Sequence, residues 1–329
     1  MNKKVFVTGG TGFTGGRLCE ILCERGYHVK ALARQTSKLE NLRRIGAEII
    51  YGDISDKASM KPAMKGVDCV YHIAAAFREE NVPHKHFYDV NVDGTRNVLE
   101  AAFETGLPHF VHCSTVGVQG EIADPPATED APYNPGDVYQ ESKMQGELMV
   151  KDFYQQNQYP GAIFRPVGIY GPGDTRFLKI FKWIYSGKFR MIGSGKVLYH
   201  WTYIDDLVDG IILCGEKKEA AYGLFTLGGE EFVTLNEIVA LIADALQVSV
   251  KKGHIPVFPV WLAGALCELV CRPLGIQPPI YRRRVDFFMK DRAFDISKAK
   301  RVLGYQPRVS LKEGIRRTAK WYLEKGLLK

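Results

Sequence analysis

The sequence predicts a doubly wound α/β protein: a parallel sheet with helices on both faces, and a smaller unit interleaved with its C-terminal half. Three observations carry this. Short β-branched runs alternate with helical patterns through the first half of the chain, as successive βαβ units do. A glycine cluster joins the first of these runs to the first helical pattern. After Arg165 the alternation stops, Gly171, Pro172 and Gly173 break the pattern, and prolines gather at Pro256, Pro259, Pro273, Pro278 and Pro279.

Taken in order, the first strand is Lys4–Thr8, a Val5-Phe6-Val7 run stopped by two glycines. Further strands are expected at His28–Ala33, Glu48–Tyr51, Cys69–His72, Phe110–Ser114 and Ala162–Arg165, with a seventh at Leu224–Leu227 before Gly228-Gly229. Helical spacing falls between them, at Phe13–Arg25, in a long segment ending near Glu104, and at Val138–Asn157. The crossovers of such a sheet are right-handed. Residues 1–168 and 200–228 are expected to build the large unit, and 169–199 and 229–329 the smaller one. Two interleaved lobes leave a cleft between them, a common ligand position.

Composition narrows the function classes. The chain has 329 residues, 46% hydrophobic and 25% charged, the proportions of an ordinary globular protein with a sizeable core. A disulfide miniprotein, a collagen-like rod and a disordered tail are excluded. The 44 basic and 37 acidic residues leave a net charge of only +7, which argues against a nucleic-acid partner. Seven cysteines, an odd number with no CxxC pair, suit buried free thiols in a reducing compartment, and no zinc-site spacing accompanies them. No targeting segment is visible, so a cytoplasmic location is expected. The most apolar stretch, 255–271, carries Pro256, Pro259 and Glu268 and falls short of a membrane span.

The first chemical motif follows the first strand directly: Thr8-Gly9-Gly10-Thr11-Gly12-Phe13-Thr14-Gly15-Gly16, then a helix. Glycines at 9, 12 and 15 permit a tight turn, close approach of backbone to a pyrophosphate, and close packing of helix on strand. The helix N-terminus offers free N–H groups and the positive end of its dipole. The loop therefore reads as a dinucleotide site in a Rossmann sheet, spaced GxxGxxG. An NAD site would carry an acidic residue about 20 positions on, gripping the ribose 2′-OH. Here no carboxylate occurs between Glu24 and Glu40, and the second strand ends Ala33-Arg34-Gln35-Thr36-Ser37-Lys38. Arg34 and Lys38 suit a 2′-phosphate, which favours NADP over NAD. Asp53, in Gly52-Asp53-Ile54, is positioned for the adenine amino group, and small residues after the fourth strand, Ala74 and Ala75, let backbone lie close to a cofactor.

The second motif is Tyr139-Gln140-Glu141-Ser142-Lys143 at the start of a helix, which puts Tyr139 and Lys143 on one face. The strand before it ends His112-Cys113-Ser114-Thr115, bringing hydroxyls to the carboxyl edge where ligands bind in such sheets. Moving a hydride to or from a carbinol carbon requires a proton relay at the oxygen. A tyrosine of ordinary pKa, about 10, is a poor base near neutrality, so a neighbouring ammonium is expected to lower it. Thr115 would hydrogen-bond the substrate oxygen.

With these motifs the chain resembles the extended short-chain dehydrogenases/reductases of the NAD-dependent epimerase/dehydratase superfamily. The resemblance covers nearly the full length, through Arg165-Pro166-Val167-Gly168-Ile169-Tyr170-Gly171-Pro172-Gly173-Asp174, His200-Trp201-Thr202-Tyr203-Ile204-Asp205-Asp206 and Ser297-Lys298-Ala299-Lys300-Arg301-Val302-Leu303-Gly304-Tyr305. It implies Thr115, Tyr139 and Lys143 as the catalytic triad, with Asn91 in support and Ser114 as the adjacent alternative to Thr115. It implies Gly9, Thr11, Gly12, Phe13, Gly15, Arg34, Lys38, Asp53, Ile54, Ala74, Ala75, Tyr139, Lys143 and Pro166 around the cofactor, no metal, and a homodimer formed through two helices of each subunit.

Nucleotide-sugar members usually carry Asn three residues after the arginine ending the sixth strand, where this chain has Gly168. They also carry an arginine at the position of Tyr199, where Lys196 is the nearest cation. The late chain, Pro256 to Cys271 and Pro278-Pro279-Ile280-Tyr281-Arg282-Arg283-Arg284, instead resembles the 3β-hydroxysteroid and sterol-carboxylate dehydrogenases, the oxoalkanoate reductases and the dihydroflavonol-reductase-like proteins. The expectation is an NAD(P)-dependent oxidoreductase acting on a secondary alcohol or ketone of an apolar small molecule, with a nucleotide-sugar epimerase holding NAD tightly as the alternative. The 255–271 segment is expected either as a core helix of the small unit or as an apolar wall near the cleft. Arg282–Arg284 are expected on a solvated face, and a membrane contact through this region is the less favoured reading.

Overall fold

The strand runs assemble into one parallel sheet whose carboxyl edge collects the motif residues. The computed structural model describes residues 3–77, 82–250, 253–271 and 285–329. Its strands β1 (Lys4–Thr8), β2 (His28–Ala33), β3 (Glu48–Tyr51), β4 (Cys69–His72), β5 (Phe110–Cys113) and β6 (Gly161–Pro166) are followed by β7 (Gly168–Tyr170), β8 (Met191–Ile192) and β9 (Leu198–Tyr203), which leave the sheet, and by β10 (Leu224–Leu227), which returns to it. The large sheet has the order β10-β6-β5-β4-β1-β2-β3, and every neighbouring pair in it is parallel. The order reverses between β1 and β4, which is where ligands bind in open α/β sheets.

Both faces of this sheet are covered. Val5 and Val7 enter one apolar cluster while Phe6 between them enters the other, and Val70 and Tyr71 divide in the same way. A strand buried on both sides has no polar face to alternate, so its sequence reads as a continuous apolar run. The covering helices of the first half are α1 (Phe13–Glu24), α2 (Glu40–Arg44), α3 (Lys57–Met64), α4 (His84–Tyr88), α5 (Thr95–Glu104) and α6 (Val138–Gln156). The long segment expected to end near Glu104 is not one α-helix. Asp89–Gly94 form a π-helical turn between α4 and α5, a widening that recurs at functional sites. α6 begins where Asp137 Oδ1 accepts the Gln140 N–H at 2.8 Å, a side-chain N-cap following Pro135-Gly136.

The remaining helices are α7 (Leu178–Tyr185), α8 (Ile204–Glu216), α9 (Leu235–Leu246), α10 (Val257–Cys271), α11 (Ser297–Leu303) and α12 (Leu311–Glu324), and the last strands are β11 (Phe232–Thr234) and β12 (His254–Ile255). A small mixed sheet runs β11-β9-β7, and β12 pairs with β8. β9 is one strand from Leu198 to Tyr203, so a unit boundary at residue 200 falls inside it and the chain turns back to the large sheet at α8. There Arg17 of α1 meets Asp205 at 2.7 Å. One apolar cluster runs from Val5 and Leu22 through Trp201 and Phe181 to Ile238 and Tyr322, so one core joins the large sheet to the elements around β9.

The 255–271 segment departs from its expected burial. α10 buries only Gly264 and Glu268, whereas Phe258, Leu269 and Val270 are 69%, 72% and 61% exposed. It is not a core helix. Among the described residues no helix is long and apolar enough to cross a membrane. Arg272 and residues 278–284, including Arg282–Arg284, lie outside the described residues.

Candidate active site

The glycine loop is built by two close approaches that only glycine allows. Gly9 has φ +74°, and a Cβ there would stand 2.7 Å from Ala74 N, at the end of β4. A Cβ on Gly15 would stand 2.2 Å from Gly9 O. The loop is thereby pressed between β1, β4 and the start of α1. Gly12 is the extended N-cap of α1, with no side-chain cap and no acidic residue in the first turn among the described residues. Thr11 and Gly12 are exposed and Phe13 is half-buried beside them. The donor set, dipole and cradle fit an anionic pyrophosphate.

Beyond the ends of β2 and β3 lies an open hollow of about 370 Å³ lined by Arg34, Gln35, Thr36, Tyr51, Gly52, Asp53, Asp56 and Ser59. Asp53 Oδ1 accepts from Ser55 N and Ser55 Oγ, both at 2.8 Å. Partial burial pushes its carboxyl up, but these bonds and the Arg34 charge hold it below the usual range. Lys38, expected beside Arg34, is exposed and is not among the residues lining the hollow. Ile54 is half-buried, and a Cβ on Gly94 would meet its Cδ1 at 2.7 Å. Ala74 is half-buried, Ala75 is exposed and Pro166 is buried at the end of β6.

Tyr139 and Lys143 occupy the first turns of α6, and Thr115 follows β5. Thr115 stands beside Tyr139 and acts to lower its phenol, and its Oγ1 accepts the Gly117 N–H at 3.1 Å. Ser114 is turned away: it is buried, and its hydroxyl donates to Glu147 Oε2 at 2.5 Å. Of the two hydroxyls that the sequence left open, Thr115 is the one beside Tyr139. Lys143 is buried, with its Nζ donating to Cys113 O at 2.6 Å. Asn91 lies in the π-helical turn, fully buried. Its Oδ1 accepts from Ala76 N at 2.9 Å, and its Nδ2 donates to Ala76 O at 3.2 Å and to Ser142 Oγ at 2.9 Å.

The electrostatics differ from the sequence expectation at one point. Burial, with a smaller contribution from Cys113, raises the Tyr139 phenol above its ordinary value; the neighbouring Thr115 hydroxyl and the Arg176 charge act downward without overcoming it. The leading cationic influence is Arg176 rather than Lys143. A phenol held up keeps its proton near pH 7 and so can act only as the donor, although burial makes it a weaker acid than a free tyrosine. Burial lowers the Lys143 ammonium from its ordinary value, with Cys113 and Glu147 acting the other way.

Four participants are absent from the sequence reading. Arg176 bonds Asp174 Oδ1 at 2.5 Å and Ile169 O at 2.6 Å, and its guanidinium stands 5.2 Å from the centre of the Phe13 ring, joining the glycine loop to the small unit. Phe77 packs edge-on to Tyr139, with ring centroids 4.9 Å apart. Gly146 lets α6 reach the π-helical turn, since a Cβ there would lie 2.4 Å from Asn91 O. Glu147 is a buried hub on α6: it accepts from Ser114, from Tyr133 OH at 2.6 Å, and from Arg165 Nε and a terminal nitrogen at 2.9 and 2.7 Å. Burial works against its charge, but these donors hold it below its ordinary value. Only Gly146 and Glu147, three and four residues beyond Lys143, lie where helical spacing from the motif would have found them.

The chain is similar to known proteins along its length. Residues 5–228 match the model of the NAD dependent epimerase/dehydratase family. Over 330 residues the chain is 33% identical to the sterol-4-alpha-carboxylate 3-dehydrogenase, decarboxylating, of Mus musculus, spanning 96% of this chain and 90% of that protein. The crystal structure of gox2253 is similar at a TM-score of 0.85 and 28% identity, with 100% of both chains covered. DesIV, a dTDP-glucose 4,6-dehydratase from Streptomyces venezuelae solved with NAD and TYD bound, is similar at a TM-score of 0.78 and 25% identity, covering 99% of this chain and 100% of that one.

Proposed function

The chain belongs to the NAD-dependent epimerase/dehydratase family, and from that premise we propose that it is an NAD(P)-dependent oxidoreductase interconverting a ketone and a secondary alcohol on an apolar small molecule. The observation that carries this reading is the placing of Tyr139 on the first turn of α6, beside Thr115 at the end of β5, with Lys143 one turn on and Phe77 packed edge-on to the ring.

Gly9, Thr11, Gly12, Phe13 and Gly15 would hold the pyrophosphate, with Asp53 and Ile54 at the adenine end, Ala74 and Ala75 along the strand edge, and Lys143 and Pro166 toward the nicotinamide half. When bound, the dinucleotide supplies the hydride. Tyr139 gives its proton to the carbonyl oxygen in the reductive direction, and Thr115 donates a hydrogen bond to the same oxygen. Lys143, anchored on Cys113 O, is within the same helix turn to hold a ribose hydroxyl. Asn91 positions this group by tying α6 to the loop after β4.

NADP is the favoured dinucleotide. Arg34 lines the hollow without donating a side-chain hydrogen bond to any described residue, while Asp53 is tied to Ser55 and Asp56 caps α3. A 2′-phosphate would find a cation there whose neighbouring carboxylates are already occupied.

An apolar substrate is supported by two positions in the small unit. A Cβ on Gly168 would stand 2.8 Å from Trp201 Cδ1, so the asparagine of nucleotide-sugar members has no room without moving Trp201. Tyr199 is buried, its hydroxyl donating to Phe287 O at 2.5 Å. The mouse relative, named for a sterol substrate, points the same way. One observation favours an epimerase instead: Arg292 donates to Tyr199 OH at 2.7 Å, bringing a cation to the position where nucleotide-sugar members carry arginine.

The test is net turnover. Incubation with NADPH and apolar ketones is expected to give stoichiometric loss of NADPH absorbance. Purification with tightly bound NAD, and sugar-nucleotide epimerisation without net NADPH consumption, would establish the alternative. A homodimer through α5 and α6 is consistent with the exposed Phe103 and Leu148 on them, and sedimentation velocity tests it. Seven free thiols support a reducing, cytoplasmic setting.

A further inference from the structure

α10 presents to solvent what globular proteins bury. Phe258, Trp261, Leu262, Leu266, Leu269 and Val270 are all exposed, from 37% at Trp261 to 72% at Leu269. The one carboxylate of the helix, Glu268, is buried, just beyond the edge of the exposed arc at Trp261. At 100° per residue the exposed side chains, with Pro259 and Ala263, cover an arc of about 200° with no polar group in it. A contiguous apolar surface of this kind marks an interaction site.

The shape of the helix and the charge of the sequence that flanks it select the occupant. A protein partner would need a groove deep enough to enclose more than half the circumference of the helix. A fluid lipid phase wets a convex helix on all such sides. The helix is 15 residues, about 22 Å, too short to span a bilayer and suited to lie in its surface. The sequence from 251 to 292 that contains it holds eight Lys/Arg against three Asp/Glu, most of the net +7 of the whole chain. This is the charge that complements anionic headgroups. The strand before α10 is fastened to the small unit, with Gly193 N donating to Ile255 O at 2.9 Å and His254 bonded to Gly193 O at 2.7 Å. The lipid-facing helix is therefore fixed to the unit proposed to bind substrate.

The geometry points to α10 as an interfacial docking helix that seats the small unit on an anionic phospholipid surface, from which an apolar substrate enters. The entry step rests on the apolar-substrate reading; the docking itself does not.

Flotation of the full-length chain with phosphatidylcholine vesicles, with and without phosphatidylglycerol, tests it. The wild type is expected to float with the phosphatidylglycerol vesicles and to be released by high salt. Phe258→Glu/Leu269→Glu, changes at exposed positions, is expected to float at least about five-fold less while keeping its melting temperature, dinucleotide affinity and turnover of a water-soluble ketone. Leu323→Glu, at an exposed apolar position of α12, is expected to float like the wild type. Wild type remaining wholly in the soluble fraction, or a double variant that floats undiminished, overturns the docking. So does loss of a dimer in the double variant without any flotation of the wild type, which would assign the face to a second copy. Ketone turnover retained alongside failed flotation rejects the docking alone; flotation without any turnover rejects the enzymatic reading alone.

Discussion

Asn91 Nδ2 donates to Ser142 Oγ at 2.9 Å, and the Ser142 hydroxyl donates in turn to Tyr139 O at 2.9 Å. This joins a residue of the π-helical turn to the helix that carries Tyr139 and Lys143. The link extends further. Ala74 N–H donates to Thr8 Oγ1 at 3.2 Å, Thr8 meets His72 Nδ1 at 2.8 Å, His72 Nε2 meets Thr95 Oγ1 at 2.9 Å, and Thr95 donates to Asn91 O at 2.8 Å. Because the Thr95 hydroxyl proton goes to Asn91 O, His72 donates from Nε2 and accepts from Thr8 at Nδ1. One buried chain of hydrogen bonds thus connects the end of β1, where the glycine loop begins, to the Tyr139 backbone.

Asn91→Ala is expected to cost roughly 2–3 kcal/mol of stability, because it strands the buried Ala76 N–H and removes the donor to Ala76 O and Ser142 Oγ. The variant should lose turnover by more than its dinucleotide affinity falls. Thermal unfolding, together with kcat and the NADPH Kd measured separately, checks this. An unchanged kcat in a folded variant would remove Asn91 from any positioning role.

Tyr139→Phe removes one hydroxyl at nearly constant volume. Turnover should fall about 100- to 10,000-fold, with NADPH affinity kept within a few-fold by titration. Equal loss of both would make Tyr139 structural. Since the phenol is raised and serves as proton donor in reduction, the wild-type rate is expected to hold through neutral pH and decline only on the alkaline side, above the ordinary tyrosine value of about 10.

Arg34→Ala should weaken NADPH by about ten-fold or more while leaving NADH within a few-fold, as expected for loss of a charge-assisted bond to phosphate. Fluorescence titration with both dinucleotides measures it. Equal effects on the two would show that Arg34 does not see the 2′-phosphate.

Acid lability should begin below pH 6.5. Burial, with the Lys143 charge, lowers His72 to about 3 and pulls His112 well below its ordinary value. The folded state therefore keeps both rings neutral while the unfolded chain takes up protons once pH drops below about 6.5. Stability is intact above that value and is lost progressively down toward pH 3, at up to about 1.4 kcal/mol per pH unit for each ring. Among the described residues neither ring nitrogen of His112 has a hydrogen-bond partner, and the ring stacks on His72 at 5.6 Å. His112→Phe should accordingly flatten the melting temperature between pH 6.5 and 4. A variant with the same pH slope as the wild type would exclude His112 as a source of the lability.

Much of the large sheet was legible in the sequence because its strands are buried on both faces and bounded by glycine or polar turns. Lys4–Thr8, His28–Ala33, Glu48–Tyr51, Cys69–His72 and Leu224–Leu227 form with the bounds read from sequence, and β5 and β6 differ only at their ends. The small unit was not legible in this way. β7, β8 and β12 are two or three residues long and take partners distant in sequence, so no local period announces them. α10 misled for a related reason: hydropathy reports that a segment is apolar, and only packing tells which neighbour, if any, covers it.

The sequence by itself determined the parallel sheet, the glycine loop against the first helix, and the adjacency of Tyr139 and Lys143, because backbone sterics and helical spacing act over a few residues. Tertiary structure alone decided that Thr115 faces Tyr139 while Ser114 turns to Glu147, that Arg176 arrives from the small unit, and that the phenol's pKa rises. Each of these depends on burial and on groups brought together from distant segments, and neither desolvation nor a through-space charge can be read along a chain.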